Sequence, residues 1–251
     1  MFRHTGKGRS YVHNLKLASL LSAVAGLVNI SGILSLAVFT TNVTGHFANF
    51  SEELFLRDYN TALVYLYYIL FFLLGAFCSS LIVELVAKFK RMYSYVIPIT
   101  LEIVILVFVG FSETLIKDFS VLIACLLLFA MGLQNALVTR VSKSVVRTTH
   151  LTGLFTDLGI ELAQLIFYRE AEDKLKLRKA ISLKLVIIGS FFTGGVVGGY
   201  LYLHFNIKTL FLAVLLLLIA LWYDRLFVQY HYIIRKLSRK YNLFTRNVVN
   251  P

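Results

Sequence analysis

Charge is scarce in this chain. Asp, Glu, Lys and Arg make up 15% of its 251 residues, against about 25% in a typical soluble domain. Proline is nearly missing, with only Pro98 and Pro251, so long helices meet few built-in breaks. The two cysteines, Cys78 and Cys125, both sit inside apolar runs. That reads as small core residues and excludes a disulfide or thiolate–metal framework. The sequence also lacks a Gly-rich phosphate loop, a His-Glu-x-x-His pair, a paired Asp cluster and a nucleophile elbow. An intramembrane hydrolase would need converging acids or a Ser/His pair, and the polar residues here are mostly amides and hydroxyls. The expectation is a non-enzyme that needs no cofactor and no metal.

What is present in excess is apolar surface. Hydrophobic residues make up 58% of the chain and the mean hydropathy is +0.77. Such a chain has too little polar surface to cover itself in water, so the lipid bilayer must be its solvent. The net charge of +12 does not gather in a folded basic domain, so nucleic acid is not an expected partner. The basic residues lie in loops and tails, where orientation in a membrane explains them. Lys16 leads into an apolar span with no small-residue cleavage site after it, so no cleavable signal is expected.

About 20 apolar residues cross about 30 Å of hydrocarbon. Six stretches qualify, at about 17–39, 61–87, 93–111, 119–138, 181–203 and 210–227. Twenty-two of the 25 Lys and Arg residues fall before the first span, in alternate links, or after the last. Arg57, Lys117 and Lys208 alone fall on the other side. The positive-inside bias then puts both termini in the cytoplasm of a multi-pass protein. The expected organisation is an N-tail (1–16), a first three-helix unit (17–112), a second unit (113–229) and a basic C-tail (230–251). The second unit contains a long cytoplasmic link over 139–180. Within that link Leu154, Leu158, Leu162 and Leu165 have helical spacing on one face, either lying in the interface or dipping inward. The run 170–179 reads as a solvated charged turn. The tail around 230–241 alternates aromatic and basic residues and suits anionic headgroups.

One stretch is written twice. Thr40-Thr41-Asn42-Val43-Thr44-Gly45-His46-Phe47 matches Thr148-Thr149-His150-Leu151-Thr152-Gly153-Leu154-Phe155 at five of eight positions. Upstream, Gly26-Leu27-Val28-Asn29 is echoed by Gly132-Leu133-Gln134-Asn135, and Phe71–Gly75 by Phe191–Gly195. Each unit holds an odd number of spans, so the second must enter the membrane upside down relative to the first. The expected fold is therefore an all-α membrane protein with six transmembrane helices in two inverted three-helix repeats. Inverted repeats are characteristic of secondary transporters, whose solute sites lie near the midplane on interrupted helices.

The echoed residue types suit such a site. Gly45 and Gly153 allow close backbone approach or a positive φ. Thr44 and Thr152 can cap a half-helix, and Asn29 and Asn135 carry amides that must find partners inside apolar spans. The substrate-binding candidates are Asn29, Thr41, Asn42, Thr44, Gly45, Gln134, Asn135, Thr149, Thr152 and Gly153. The same residues equally suit plain helix packing. The coupling or gating candidates are Glu102, His46, Asp157, Arg140 and Arg147. Glu102 is a carboxyl within a span. His46 either senses protons or is a polar loop residue. Asp157 can pair with Arg140 or Arg147. Glu84 has Lys88 four residues on, the spacing of a helix-end ion pair. Gly194, Gly195, Gly198 and Gly199, with Gly75 and Ser79 opposite, form small-residue surfaces for the contact between halves.

The runs Gly26–Phe47 and Met131–Gly159 resemble the YoaK-type bacterial integral membrane proteins, the family of domain of unknown function 1275. The specific part is Met131-Gly132-Leu133-Gln134-Asn135-Ala136, then Arg147-Thr148-Thr149-His150-Leu151-Thr152-Gly153 and Thr156-Asp157-Leu158-Gly159. The resemblance implies a bacterial inner-membrane protein in a family suspected of transport. Where that family has Val-Asp and Thr-Gly-Asn, this chain has Val28-Asn29 and Thr44-Gly45-His46, so no titratable group stands at position 29. Two functions stay open: a permease for a small solute, neutral or anionic, or a non-transporting membrane scaffold or sensor. The expected partners are the lipid bilayer and that solute; homo-oligomers stay open.

Overall fold

The computed structural model describes residues 11–90, 94–142, 148–167 and 171–222. Among them all regular structure is helical. The helices are α1 (Tyr11–Leu36), α2 (Val43–Leu56), α3 (Tyr59–Lys90), α4 (Val96–Phe111), α5 (Ile116–Ser142), α6 (Leu151–Phe167) and α7 (Ala171–Phe205). Residues 210–222 form α8. Pro98 is tolerated in the first turn of α4, where its missing N–H has no carbonyl to reach.

With proline absent from the breaks, other residues make them. Ala37, Arg57 and Asn206 take left-handed conformations at φ 55°, 61° and 51°, each at about 1–2 kcal/mol for a residue with a Cβ. Arg57 closes α2 as glycine commonly would: its N–H reaches Leu54 O at 3.2 Å, while Asp58 N–H reaches Glu53 O at 3.0 Å. Asn206 turns the chain between α7 and α8 through a short 3-10 segment (Asn206–Thr209).

Four stretches are long and apolar enough to cross a bilayer: Leu15–Leu36, Tyr59–Lys88, Glu113–Ser142 and Glu172–Trp222, the last containing that turn. Protein buries only 22% of the apolar window of α3. Leu70, Leu73, Leu74, Phe77, Leu81 and Leu85 stay exposed along it. Water would not tolerate so long an apolar face; lipid does.

Two helix pairs dominate the packing, α1 with α7 and α3 with α5. Both meet through glycines pressed on backbone. A Cβ on Gly26 would fall 2.0 Å from Phe191 O, and one on Gly194 would fall 2.1 Å from Ala23 O. In the other pair, a Cβ on Gly75 would meet Phe129 O at 2.1 Å and one on Gly132 would meet Phe72 O at 2.2 Å. Residue numbers rise together across each seam. Gly198 lies against Leu27 and Ile30, and Glu84 near the end of α3 pairs with Arg140 near the end of α5. Both pairs are therefore parallel. The glycine surfaces do join the two halves of the chain, though not by opposing each other: Gly194 and Gly198 of the second half press on α1, and Gly75 of the first half presses on α5.

The pairs are joined antiparallel. Glu113, between α4 and α5, accepts from Asn206 Nδ2 at 2.9 Å and pairs with Lys208 at 3.0 Å, so the start of α5 lies beside the end of α7. Where α1 and α5 cross, Gln134 Nε2 donates to Leu21 O at 2.9 Å. Leu21, Val24, Leu27, Val28, Leu127, Met131 and Leu133 fill that region, each at most 1% exposed.

Three local expectations are corrected. Within the stretch 139–180, residues 139–142, 151–167 and 171–180 are helical, and 148–150 form the bend that enters α6. The charged run is the first turns of α7, with Glu172 and Asp173 at the favourable end of the helix dipole and Glu172 bonded to Lys176 at 2.8 Å. In α6, Leu154 and Leu158 are buried but Leu162 is exposed, because only part of the predicted stripe reaches α7. Glu84 takes Arg140 rather than Lys88, since the neighbouring helix brings a guanidinium closer than its own helix brings an ammonium. Residues 11–16 of the expected N-tail belong to α1; residues 1–10, Arg147 and the C-tail lie outside the described residues.

Candidate functional site

Each echoed stretch folds into a corner where one spanning helix turns into a short helix. At the first corner Asn29 Oδ1 accepts from Thr41 N–H at 3.3 Å and from the Thr41 hydroxyl at 3.0 Å. At the second, Asn135 Oδ1 accepts from the Thr149 hydroxyl at 3.1 Å. In each case an amide inside a span ties down the chain that follows the span. Backbone bonds repeat as well: His46 N–H reaches Asn42 O at 3.3 Å, and Leu154 N–H reaches His150 O at 3.1 Å. Thr40 and Thr148, each preceding the bonded threonine, are 0% exposed. Their hydroxyls have no hydrogen-bond partner among the described residues.

The glycines have a common purpose here. A Cβ on Gly45 would lie 2.7 Å from Asn42 Nδ2, and one on Gly153 would lie 2.5 Å from the His150 ring. Each lets the side chain three residues earlier fold over the helix start. Asn42 is the N-cap of α2 and accepts from Gly45 N–H at 3.0 Å. Capping therefore falls to Asn42 and not to Thr44, which is exposed on the first turn, as Thr152 is on α6.

The corners do not merge into one site. Leu21 and Gln134 mark the crossing, and Asn29 lies eight residues beyond Leu21, about 12 Å along α1. Asn135 follows Gln134 directly, toward the end that carries Glu84 and Arg140. The substrate candidates thus divide: Asn29, Thr41, Asn42, Thr44 and Gly45 at the Glu113–Lys208 end, and Asn135, Thr149, Thr152 and Gly153 at the other. Gln134 sits between them, 0% exposed, with its Oε1 unpaired among the described residues.

The family model described as a protein of unknown function (DUF1275) matches residues 17–223. The chain belongs to this family. No curated protein and no solved structure matches it. The matched span takes in both corners and all eight helices but for the first turns of α1.

The titratable candidates fall in different settings. Glu102 is 1% exposed on the buried face of α4, and neither carboxyl oxygen has a partner among the described residues. Arg140 is engaged by Glu84, and Asp157 is exposed on α6. His46 is not a loop residue. It lies in the first turn of α2, 3% exposed, with Nε2 at 2.7 Å from Phe39 O. The rings of Tyr68 and Tyr65 stand 5.3 and 6.2 Å away. Burial holds the His46 ring below the ordinary histidine range, partly offset by the bond to Phe39. Among the ion pairs that sequence reasoning missed, the most buried joins Lys184 to Glu161 at 2.5 Å, with side chains 15% and 18% exposed. Its only signal was a lysine just inside an apolar run.

Proposed function

We propose that this chain is a six-span protein of the bacterial inner membrane, built as two inverted three-helix repeats, that moves a small solute by rocking one parallel helix pair against the other. The observation that carries the reading is reciprocity. Gly26 of α1 presses on Phe191 of α7, and Gly132 of α5 presses on Phe72 of α3. Exchanging the halves maps Gly26 to Gly132, Asn29 to Asn135, Phe191 to Phe72 and Gly194 to Gly75. This register is one residue off the sequence alignment of Phe71 with Phe191. Each half contributes one helix to each parallel pair, as a half-turn axis in the membrane plane requires.

Six spans follow if the stretch Glu172–Trp222 counts as two helices reversed at Asn206, and if α4 crosses with its 16 residues, about 24 Å long. The basic residues of the spans' alternate ends put both termini in the cytoplasm. The Asn29 corner then faces outward and the Asn135 corner inward. Solute meets amides, threonine hydroxyls and helix-start N–H groups on either side of the crossing, a lining suited to an anion. Glu102 is the buried carboxyl available for coupling.

Two experiments test this. A membrane-impermeant maleimide should label Thr44→Cys only from outside and Thr152→Cys only from the cytoplasm; labelling of both from one face refutes the inversion. A metabolite panel screened by thermal shift should then yield a solute that stabilises wild type but not Asn135→Ala. A panel of anions and neutral metabolites that gives no such solute would favour the second reading, a non-transporting scaffold or sensor. The filled α1–α5 crossing favours that alternative, with the basic segments held on lipid or a partner.

A further inference from the structure

The two corners share a plan, but one carries a histidine where the other carries Leu154. A carbonyl can only accept, so the 2.7 Å contact with Phe39 O fixes the proton of the neutral His46 ring on Nε2. Nδ1 is then a bare lone pair. It is buried and has no hydrogen-bond partner among the described residues. Leaving such an acceptor dry is unfavourable, and nothing in the packing of α2 requires it: leucine fills the matching place in α6. The groups around it are uncharged at neutral pH. Tyr65 and Tyr68 come from α3, with Cys125 of α5 clustered behind Tyr68. On α2 itself Glu52 and Glu53 lie almost two turns away, and Asp58 is exposed and bonded to Thr61.

We propose that His46 Nδ1 is a proton-binding site, and that protonation there releases α2 from the corner it forms with α1 and α3. A second proton makes the ring a cation with no anion facing it, and gives it a donor with no acceptor in reach. Opening the corner lets water solvate that charge. The helix is prepared for release. Phe47, Leu54, Phe55 and Leu56 already face away from the protein, so a freed α2 rests in the membrane interface. The sign follows from burial. Above about pH 6.5 the ring is neutral in both states and the closed corner is favoured. As pH falls from there toward the lowered value of the closed state, the open state takes the proton first and the stability of the corner is lost. Which compartment's acidity is sensed rests on the inverted-repeat reading; the device itself does not.

The test is amide hydrogen exchange on the full chain in detergent at pH 8 and pH 5, corrected for intrinsic exchange, with α5 as internal reference. Protection over residues 43–56 should fall relative to α5 by about tenfold or more at pH 5. His46→Gln keeps a donor for Phe39 O but cannot titrate, and its α2 protection should not change with pH. Equal protection of wild-type α2 at both pH values overturns the proposal, as does an equal fall in the Gln variant. Should that variant fail to fold, 15N spectra of ring-labelled wild type decide. Nδ1 must be proton-free at pH 8 and protonated at pH 5, and a protonated Nδ1 at pH 8 refutes the site.

Discussion

The two corners have the same skeleton and different chemistry. Asn29 and Asn135 each hold a threonine, Gly45 and Gly153 each admit the side chain three residues back, and Thr40 and Thr148 each bury a hydroxyl with no partner among the described residues. The first corner adds His46 wedged between the Phe39 carbonyl and two tyrosines, whereas the second puts Leu154 in that place. Among the described residues its amide also accepts two hydrogen bonds where the second accepts one. The shared part marks what the backbone turn demands. The unshared part marks where one corner has gained a property the other lacks.

The hardest way to break the likeness is through the glycine seams. Gly26→Ala and Gly132→Ala each drive a methyl into a backbone carbonyl that cannot step aside, and each should cost about 3 kcal/mol or more. Gly189, with nothing within 4 Å of an added Cβ, should tolerate alanine and gain up to about 1 kcal/mol from helix propensity. Unfolding in detergent measures all three, and tolerance of only one of Gly26→Ala and Gly132→Ala would end the correspondence between the pairs. A smaller effect separates the amides. Asn29→Ala should cost about 2 kcal/mol and Asn135→Ala about 1 kcal/mol, at about 1 kcal/mol per hydrogen bond lost; equal losses would mean the second Thr41 contact contributes nothing. The smallest loss of all falls among the ion pairs. Glu161→Gln leaves a mostly buried Lys184 without its carboxylate and should cost about 2 kcal/mol. Glu84→Gln, at a far more exposed pair, should cost much less. The same unfolding series ranks the two, and the reverse order would show that Lys184 finds another partner.

The duplicated Thr-Thr and Gly signals in the sequence located both corners, because a turn of this kind depends on residues close together in the chain. Hydropathy likewise found the long helices. Partner choice was not legible. The spacing of Glu84 and Lys88 offered a local pair, but Arg140 arrives from 56 residues away. The alignment of Phe71 with Phe191 missed the packing register by one residue, because phenylalanine repeats at both places and only backbone contact tells them apart. The charged run at 170–179 looked like a turn by composition, although acids at its head and lysines four residues on suit a helix equally well. Glu102 and His46 were singled out as polar residues in apolar surroundings. Their burial, which gives them meaning, depends on what packs over them.

The parallel glycine seams also set a schedule for making the protein. As the chain leaves the ribosome, α1 has as its close partner α7, more than 130 residues behind it. Until that partner is threaded into the bilayer, the notch at Gly26 is left to lipid tails or to a transient escort. A chain severed between α5 and α6 should therefore yield two fragments that are each unstable alone and regain their fold when synthesised together.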